Sequence, residues 1–327
     1  MTFPPAIGNI RRMKRGLILM TFVAAAASRA ATAWVGYEGG IGQYDERGDL
    51  VRRWEGYRRP VSLCYDAASG RLWFIDAYDY TLVCLDVASG TEVFRIKNAA
   101  HASSLAGGNL KVYLLEKKPV EPALALDPGD GSAWLADFYG HELARYDATG
   151  KEIFRGAGFH EPFAVAPLGD GRAWVSASIR TLSLVGADGA EVKNQTGVNE
   201  ARALAYDAVA GLVWVADYRN NRVLAMTADA TLKKKISGIE LPNALVAASG
   251  VAWVATQYEG IKKITAAEEK VAAAITTSEN AAALAPDGAG GVWAAFPDAG
   301  AVIRYDGDGN VVTKIERLPR PAAVAAE

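Results

Sequence analysis

Apolar and polar residues alternate in short runs along most of this chain, and the runs come in fours. Residues 123–126 (ALAL), 133–137 (AWLAD), 142–146 (ELARY) and 152–155 (EIFR) form one such set, punctuated by DPGDGS and DATG. Period-2 alternation over four or five residues predicts half-buried strands. The Asp/Gly clusters between them predict tight turns in which glycine supplies positive φ. No 3.6-residue periodicity competes after residue 33, so no helix is expected there. Naming the four strands A to D, each set opens its B strand on a tryptophan. Seven of the eight tryptophans, at 34, 73, 134, 174, 214, 253 and 293, are spaced by 39, 61, 40, 40, 39 and 40 residues; Trp54 stands apart. A period near 40 with four short strands per repeat predicts an all-β propeller of four-stranded blades, with these tryptophans in its core.

The segments ALALDPGDGSAWLADFYGHELARYDATGKEIF and ALAYDAVAGLVWVADYRNNRVLAM resemble NHL-type repeats, and the blade style is similar to that of streptogramin-lyase-like and SMP-30/gluconolactonase-like propellers. The likeness covers nearly all of residues 34–327. It implies the fold strongly and the function loosely, because such blades serve both enzymes and binding proteins.

Two irregularities shape the expected ring. The first blade starts at Trp34 without an A strand, while Pro321–Ala325 carries the A-strand pattern. The C-terminal segment is therefore expected to supply that strand and close the ring, removing two open edges. The spacing of 61 leaves about 20 extra residues. HASSLAGGNLKVYLLEKK (101–118) reads as a two-stranded insert, giving seven blades; eight positions with one half-filled is the alternative.

Residues 1–33 read as an address. Arg11, Arg12, Lys14 and Arg15 precede the apolar run GLILMTFVAAAA, and Ala31-Thr32-Ala33 follows. That is the layout of a secretory signal peptide, and the run is too short to span a bilayer. Met13 followed by Lys14-Arg15 is a more usual start than Met1. The expectation is a periplasmic or secreted, soluble monomer comprising residues 34–327. Without those 33 residues the chain holds 30 basic against 37 acidic side chains. This balance argues against nucleic acid as a partner. Export permits disulfides, but Cys64 and Cys84 fall on the first and third strands of one blade, two strand spacings apart. Free buried thiols are expected.

Several motifs fail on inspection. Asp306-Gly-Asp308-Gly-Asn310 imitates an EF-hand loop but has Val311 and Arg317 where Gly and Glu are required. His141-Glu142 lacks a second histidine four residues on. GGIG at 39–42 does not open a helix. The only histidines, His101, His141 and His160, fall on three separate connections and read as isolated surface residues.

What remains is positional. B–C loops and D–A connections share one face of a propeller, around the channel mouth. Glu121, Glu161, Glu200, Glu240 and Glu279 each stand 13 or 14 residues before a repeat tryptophan. Tyr37, Tyr78, Tyr139, Tyr218 and Tyr258, with Asp76, Asp137 and Asp217, fall on the same face. Five convergent carboxylates would form an acidic arc, offset by Arg59 and Arg320, that attracts cations. The leading expectation is a non-catalytic propeller binding a protein, peptide or glycan at this mouth. Resemblance to the lactonase-like propellers implies the alternative: a hydrolase or lyase holding Ca²⁺ or another divalent cation near Glu200, Asn243 and Asn280, with Asn199 close by. No catalytic His/Glu pair at the spacing expected of streptogramin-lyase-like enzymes stands out.

Overall fold

The computed structural model describes residues 32–101, 120–268 and 270–327. Seven four-stranded antiparallel sheets form a closed β-propeller. The innermost A strands are Pro60–Asp66, Ala123–Leu126, Val165–Pro167, Ala201–Asp207, Pro242–Ala248, Ala283–Pro286 and Ala323–Ala326. The B strands follow at Ala33–Tyr37, Arg71–Asp76, Ala133–Asp137, Ala173–Ser178, Leu212–Asp217, Val251–Thr256 and Val292–Phe296. Blades are numbered 1 to 7 in the order of these B strands. In blade 3 the four strands fall where the alternation puts them, except that strand D runs on to Ala157. Among the described residues the only helical element is the 3-10 turn Tyr218–Asn220.

The ring closes through the C-terminus. Ala323–Ala326 lies antiparallel to Ala33–Tyr37, pairing Trp34 with Ala325 and Val35 with Val324. Blade 1 is thus built from both ends of the propeller, with the last strand innermost.

The cores lie between blades. Each repeat tryptophan is at most 2% exposed and turns towards the next blade. Trp34 meets Leu72 and Phe74, Trp73 meets Leu135 and Tyr146, and Trp134 meets Val175 and Val185. The series continues until Trp293 packs on Val35 and Tyr44 of blade 1. The residue after each tryptophan faces the opposite way, because successive side chains of a strand point to opposite faces. Both faces of each B strand are therefore buried, while the outermost D strands stay largely exposed, and the indole spacing in sequence becomes a ring in space. On three blades a cation stands opposite the indole in the adjoining strand: Arg145 opposite Trp134, Lys263 opposite Trp253, Arg304 opposite Trp293. Each reaches within 6 Å of the ring centroid, in cation–π range.

Trp73 also decides the blade count. It packs directly on blade 3, so no eighth position stands between blades 2 and 3, and the alternative of eight positions is excluded. The two-stranded reading of 101–118 falls almost wholly on residues outside those described, as does the N-terminal segment.

Cys64 and Cys84 are free, and both are register partners of Trp73, one on either side of it. An intervening strand separates them beyond disulfide reach. Burial pushes both thiols up to about 12.

Candidate functional site

The seven A strands surround a central channel. One aliphatic side chain per blade points into it: Leu63, Leu124, Val165, Leu204, Leu245, Leu284 and Val324. Six of them pair in register with the residue following the repeat tryptophan, and Leu63 sits in a bulge opposite Phe74. All are only 4–8% exposed. They form a girdle that parts the channel into two cavities, both of which touch Leu63, Leu245, Leu284 and Val324. The lower cavity, about 570 Å³, is mainly apolar. The upper one, about 520 Å³, opens on the face of the D–A connections, and Arg59, Arg202, Arg320, Glu38, Glu121 and Asn243 line it.

The five glutamates do not assemble as one arc. Only Glu121 lines the upper cavity, 3.2 Å from Arg59. Burial raises its pKa, and the neighbouring guanidinium opposes that rise. Glu161 and Glu200 are buried at D–A corners, with φ of 59° and 57°. Glu200 accepts from Arg202 at 3.0 Å and from Arg219 at 3.2 Å, so its charge is spent within the wall. Glu240 and Glu279 are exposed. In blade 6 the corner belongs to Leu241, whose carbonyl accepts from Gln257 N–H as that of Glu200 accepts from Tyr218 N–H. The D–A connections into blades 5 and 6 are equally long, but the A–B turn of blade 6 (249–250) is two residues shorter than that of blade 5 (208–211), so counting back from the tryptophan sets Glu240 one residue before the corner. The mouth carries mixed charge: Arg320 faces Glu38 at 3.6 Å, so each arginine there has a carboxylate nearby.

The aspartates have a structural duty. Asp76 accepts hydrogen bonds from the backbone N–H groups of Arg58, Arg59 and Tyr78. Asp137 accepts from His101 and Gly140 N–H, and Asp217 from Asn199 N–H and the Arg222 guanidinium. In blade 4 Ser176 Oγ takes this place, accepting from Phe163 and Ala164 N–H. Each latches an incoming connection to the end of strand B, satisfying donors that strand pairing leaves over.

The tyrosines divide into two kinds. Tyr37 and Tyr218 are buried; Tyr218 donates to Gln257 Oε1 at 2.5 Å and lies under Arg202 at 3.5 Å. Tyr139 packs on Phe138 and accepts from Val120 N–H, and burial raises its pKa. Tyr78 and Tyr258 remain 62% and 67% exposed on the rim, Tyr78 beneath the Arg58 guanidinium. Of the candidate metal ligands only Asn243 lines the cavity, and its Oδ1 is buried without a hydrogen-bond partner among the described residues. Asn280 is exposed, and Asn199 is engaged through its backbone with Asp217 and Arg219.

The histidines gather more closely than their sequence positions suggest. The His141 and His160 rings lie 5.1 Å apart, and His141 Nδ1 accepts from Glu161 N–H. His101 Nδ1 stands 2.7 Å from Asp137 Oδ2, so the reading of three isolated histidines gives way to paired ones around the B–C loop of blade 3. The girdle was open to sequence reasoning, since the A segments repeat a central Leu or Val. Arg202 and Glu38 belong to no repeat and carry no such signal.

No protein-family model matches this sequence, and no curated protein does. Solved structures match the fold. A functionally unknown protein from Desulfotomaculum acetoxidans superposes with a TM-score of 0.72 at 12% identity, over 90% of this chain and 98% of its own. Apo AztD from Citrobacter koseri gives 0.63 at 11%, over 91% and 98%. A streptogramin B lyase gives 0.63 at 14%, over 81% and 86%. At these identities the similarity establishes the propeller and nothing about chemistry.

Proposed function

We propose that this protein is an exported, non-catalytic binding propeller that takes a peptide-like segment of its partner into the upper channel cavity. The observation that supports it is the make-up of that cavity: an aliphatic floor beneath guanidinium, carboxylate and amide groups. Such a site can desolvate an apolar side chain while pairing charges of either sign at the rim. The exposed Tyr78 and Tyr258 add amphipathic contact area of the kind enriched where proteins bind. The basic and apolar N-terminal segment supports export, and among the described residues no helix is long and apolar enough to cross a membrane.

A thermal-shift panel of short peptides, oligosaccharides and divalent cations tests the reading. Peptides combining an apolar and a charged residue should raise the melting temperature, and the double variant Arg59→Gln/Arg320→Gln should lose that rise. Turnover of a ligand, or stabilisation by divalent cations at the mouth with none by peptides, would overturn it in favour of the metal-dependent hydrolase or lyase.

A further inference from the structure

Outside the channel, at the joint of blades 2 and 3, His101, Asp137 and Glu142 bring an imidazole nitrogen and two carboxylate oxygens within 4.8 Å of one another. We propose that this cluster is a binding site for one borderline transition-metal dication of the Zn²⁺ type. It is separate from the upper cavity, whose lining includes none of the three.

The fold places the two carboxylates. Asp137 ends strand B and Glu142 begins strand C of blade 3, and the two are register partners, so their side chains leave the same end of one hairpin. His101 arrives from the exit of blade 2. Its backbone N–H and ring Nδ1 both meet Asp137 Oδ2, at 2.8 and 2.7 Å, and Gly140 N–H holds the other oxygen at 3.1 Å. These backbone bonds fix the orientation of the Asp137 carboxylate as outer-shell bonds fix a metal ligand. Gly140 makes the room. A Cβ there would stand 2.3 Å from both Asp137 Oδ2 and His101 Nδ1, so any side chain at 140 would displace the pair.

Charge and donor type select the ion. Arg155 holds Glu142 at 2.8 Å and Glu152 at 3.0 Å. With Asp137 the cluster counts three carboxylates against one guanidinium, and a dication cancels the remainder. An imidazole with two carboxylates and solvent suits Zn²⁺ or its neighbours, whereas Ca²⁺ requires six to eight oxygens. Zinc bonds of roughly 2.0–2.2 Å set tetrahedral ligand atoms a little over 3 Å apart. The His101 ring must then move outward by a few tenths of an ångström, which its 56% exposure allows. Binding takes the place of the contact between His101 Nδ1 and Asp137 Oδ2, so the neutral ring that ligates through Nδ1 carries its proton on Nε2.

The test uses the full chain purified without chelator, stripped of metal and titrated with Zn²⁺, then with Co²⁺ as an optical probe. One ion per chain is expected, with Co²⁺ absorption in the visible. His101→Ala, at an exposed position, should weaken binding tenfold or more, Glu142→Gln should weaken it, and His160→Ala should leave it unchanged. Circular dichroism confirms that each variant folds. No stoichiometric Zn²⁺ binding, or affinity that survives His101→Ala, would overturn the proposal. So would loss of binding in His160→Ala alone, which would place the ion at the His141–His160 pair.

Discussion

Replacing Asp76 by alanine separates a latch from a ligand. The Asp76 carboxylate is 4% exposed and accepts from the N–H groups of Arg59 at 2.9 Å, Arg58 at 3.0 Å and Tyr78 at 3.2 Å. Ala77 N–H donates back to Arg59 O at 2.9 Å, so the entry to blade 2 is held from both sides. Hydrogen bonds to a charged acceptor contribute about 1.5–3 kcal/mol each. Arg58 and Tyr78 are exposed, and water can replace part of what they lose. The lower figure for the two shortest bonds gives a loss of about 3 kcal/mol. Unfolding entropy for a domain of this size is about 0.6 kcal/mol/K, so the melting temperature should fall by about 5 °C. Asp76→Asn keeps one acceptor oxygen without the charge and should lose about half as much. Urea titration and thermal melts of the three proteins read the effect directly. A melt of Asp76→Ala within 1 °C of the parent would refute the latch. Unchanged stability with lost ligand binding would make Asp76 a contact residue instead.

Deleting residues 319–327 removes the inner strand of blade 1 and should lower the melting temperature by more than the Asp76 change; an unchanged melt would sink the closure. Leu245→Ala opens the girdle and should cost about 2 kcal/mol, at the low end for a core leucine because the side chain borders a cavity that can admit water. The two thiols ionise near 9 when exposed and near 12 in the fold. Their contribution to stability is therefore complete below pH 9 and is lost as pH rises towards 12, by up to about 1.4 kcal/mol per pH unit for each thiol. Cys64→Ala/Cys84→Ala should flatten that dependence, and iodoacetamide at pH 8 should label the native thiols roughly a thousandfold more slowly than the unfolded ones. Thr32 O accepts from Glu327 N–H, and Ala33 pairs with Ala326. Mass spectrometry of exported protein should therefore find a first residue at or before Thr32; a start at Trp34 would show that this end of the ladder is dispensable.

The sequence by itself determined the repeat. Strand alternation, turn glycines and tryptophan spacing are local signals written once per blade, and the A-strand pattern at Pro321–Ala325 was enough to place the closing strand. It also placed Cys64 and Cys84 on strands too far apart to bridge. Whether the spacing of 61 hid an eighth position was decided only by Trp73 packing on blade 3, a contact between segments about 60 residues apart in sequence. The mouth depended on tertiary structure still more. Equal distances from a tryptophan suggested five equivalent glutamates. Turns of different length between strands A and B instead leave Glu200 in the wall beside Arg202, Glu121 in the cavity and Glu240 in solvent. A repeat fixes where a strand begins, whereas the direction of a charged side chain depends on which neighbour it meets. Those neighbours, Arg59 for Glu121, Arg202 for Glu200 and His101 for Asp137, come from other turns of the ring or from singular positions that no period marks.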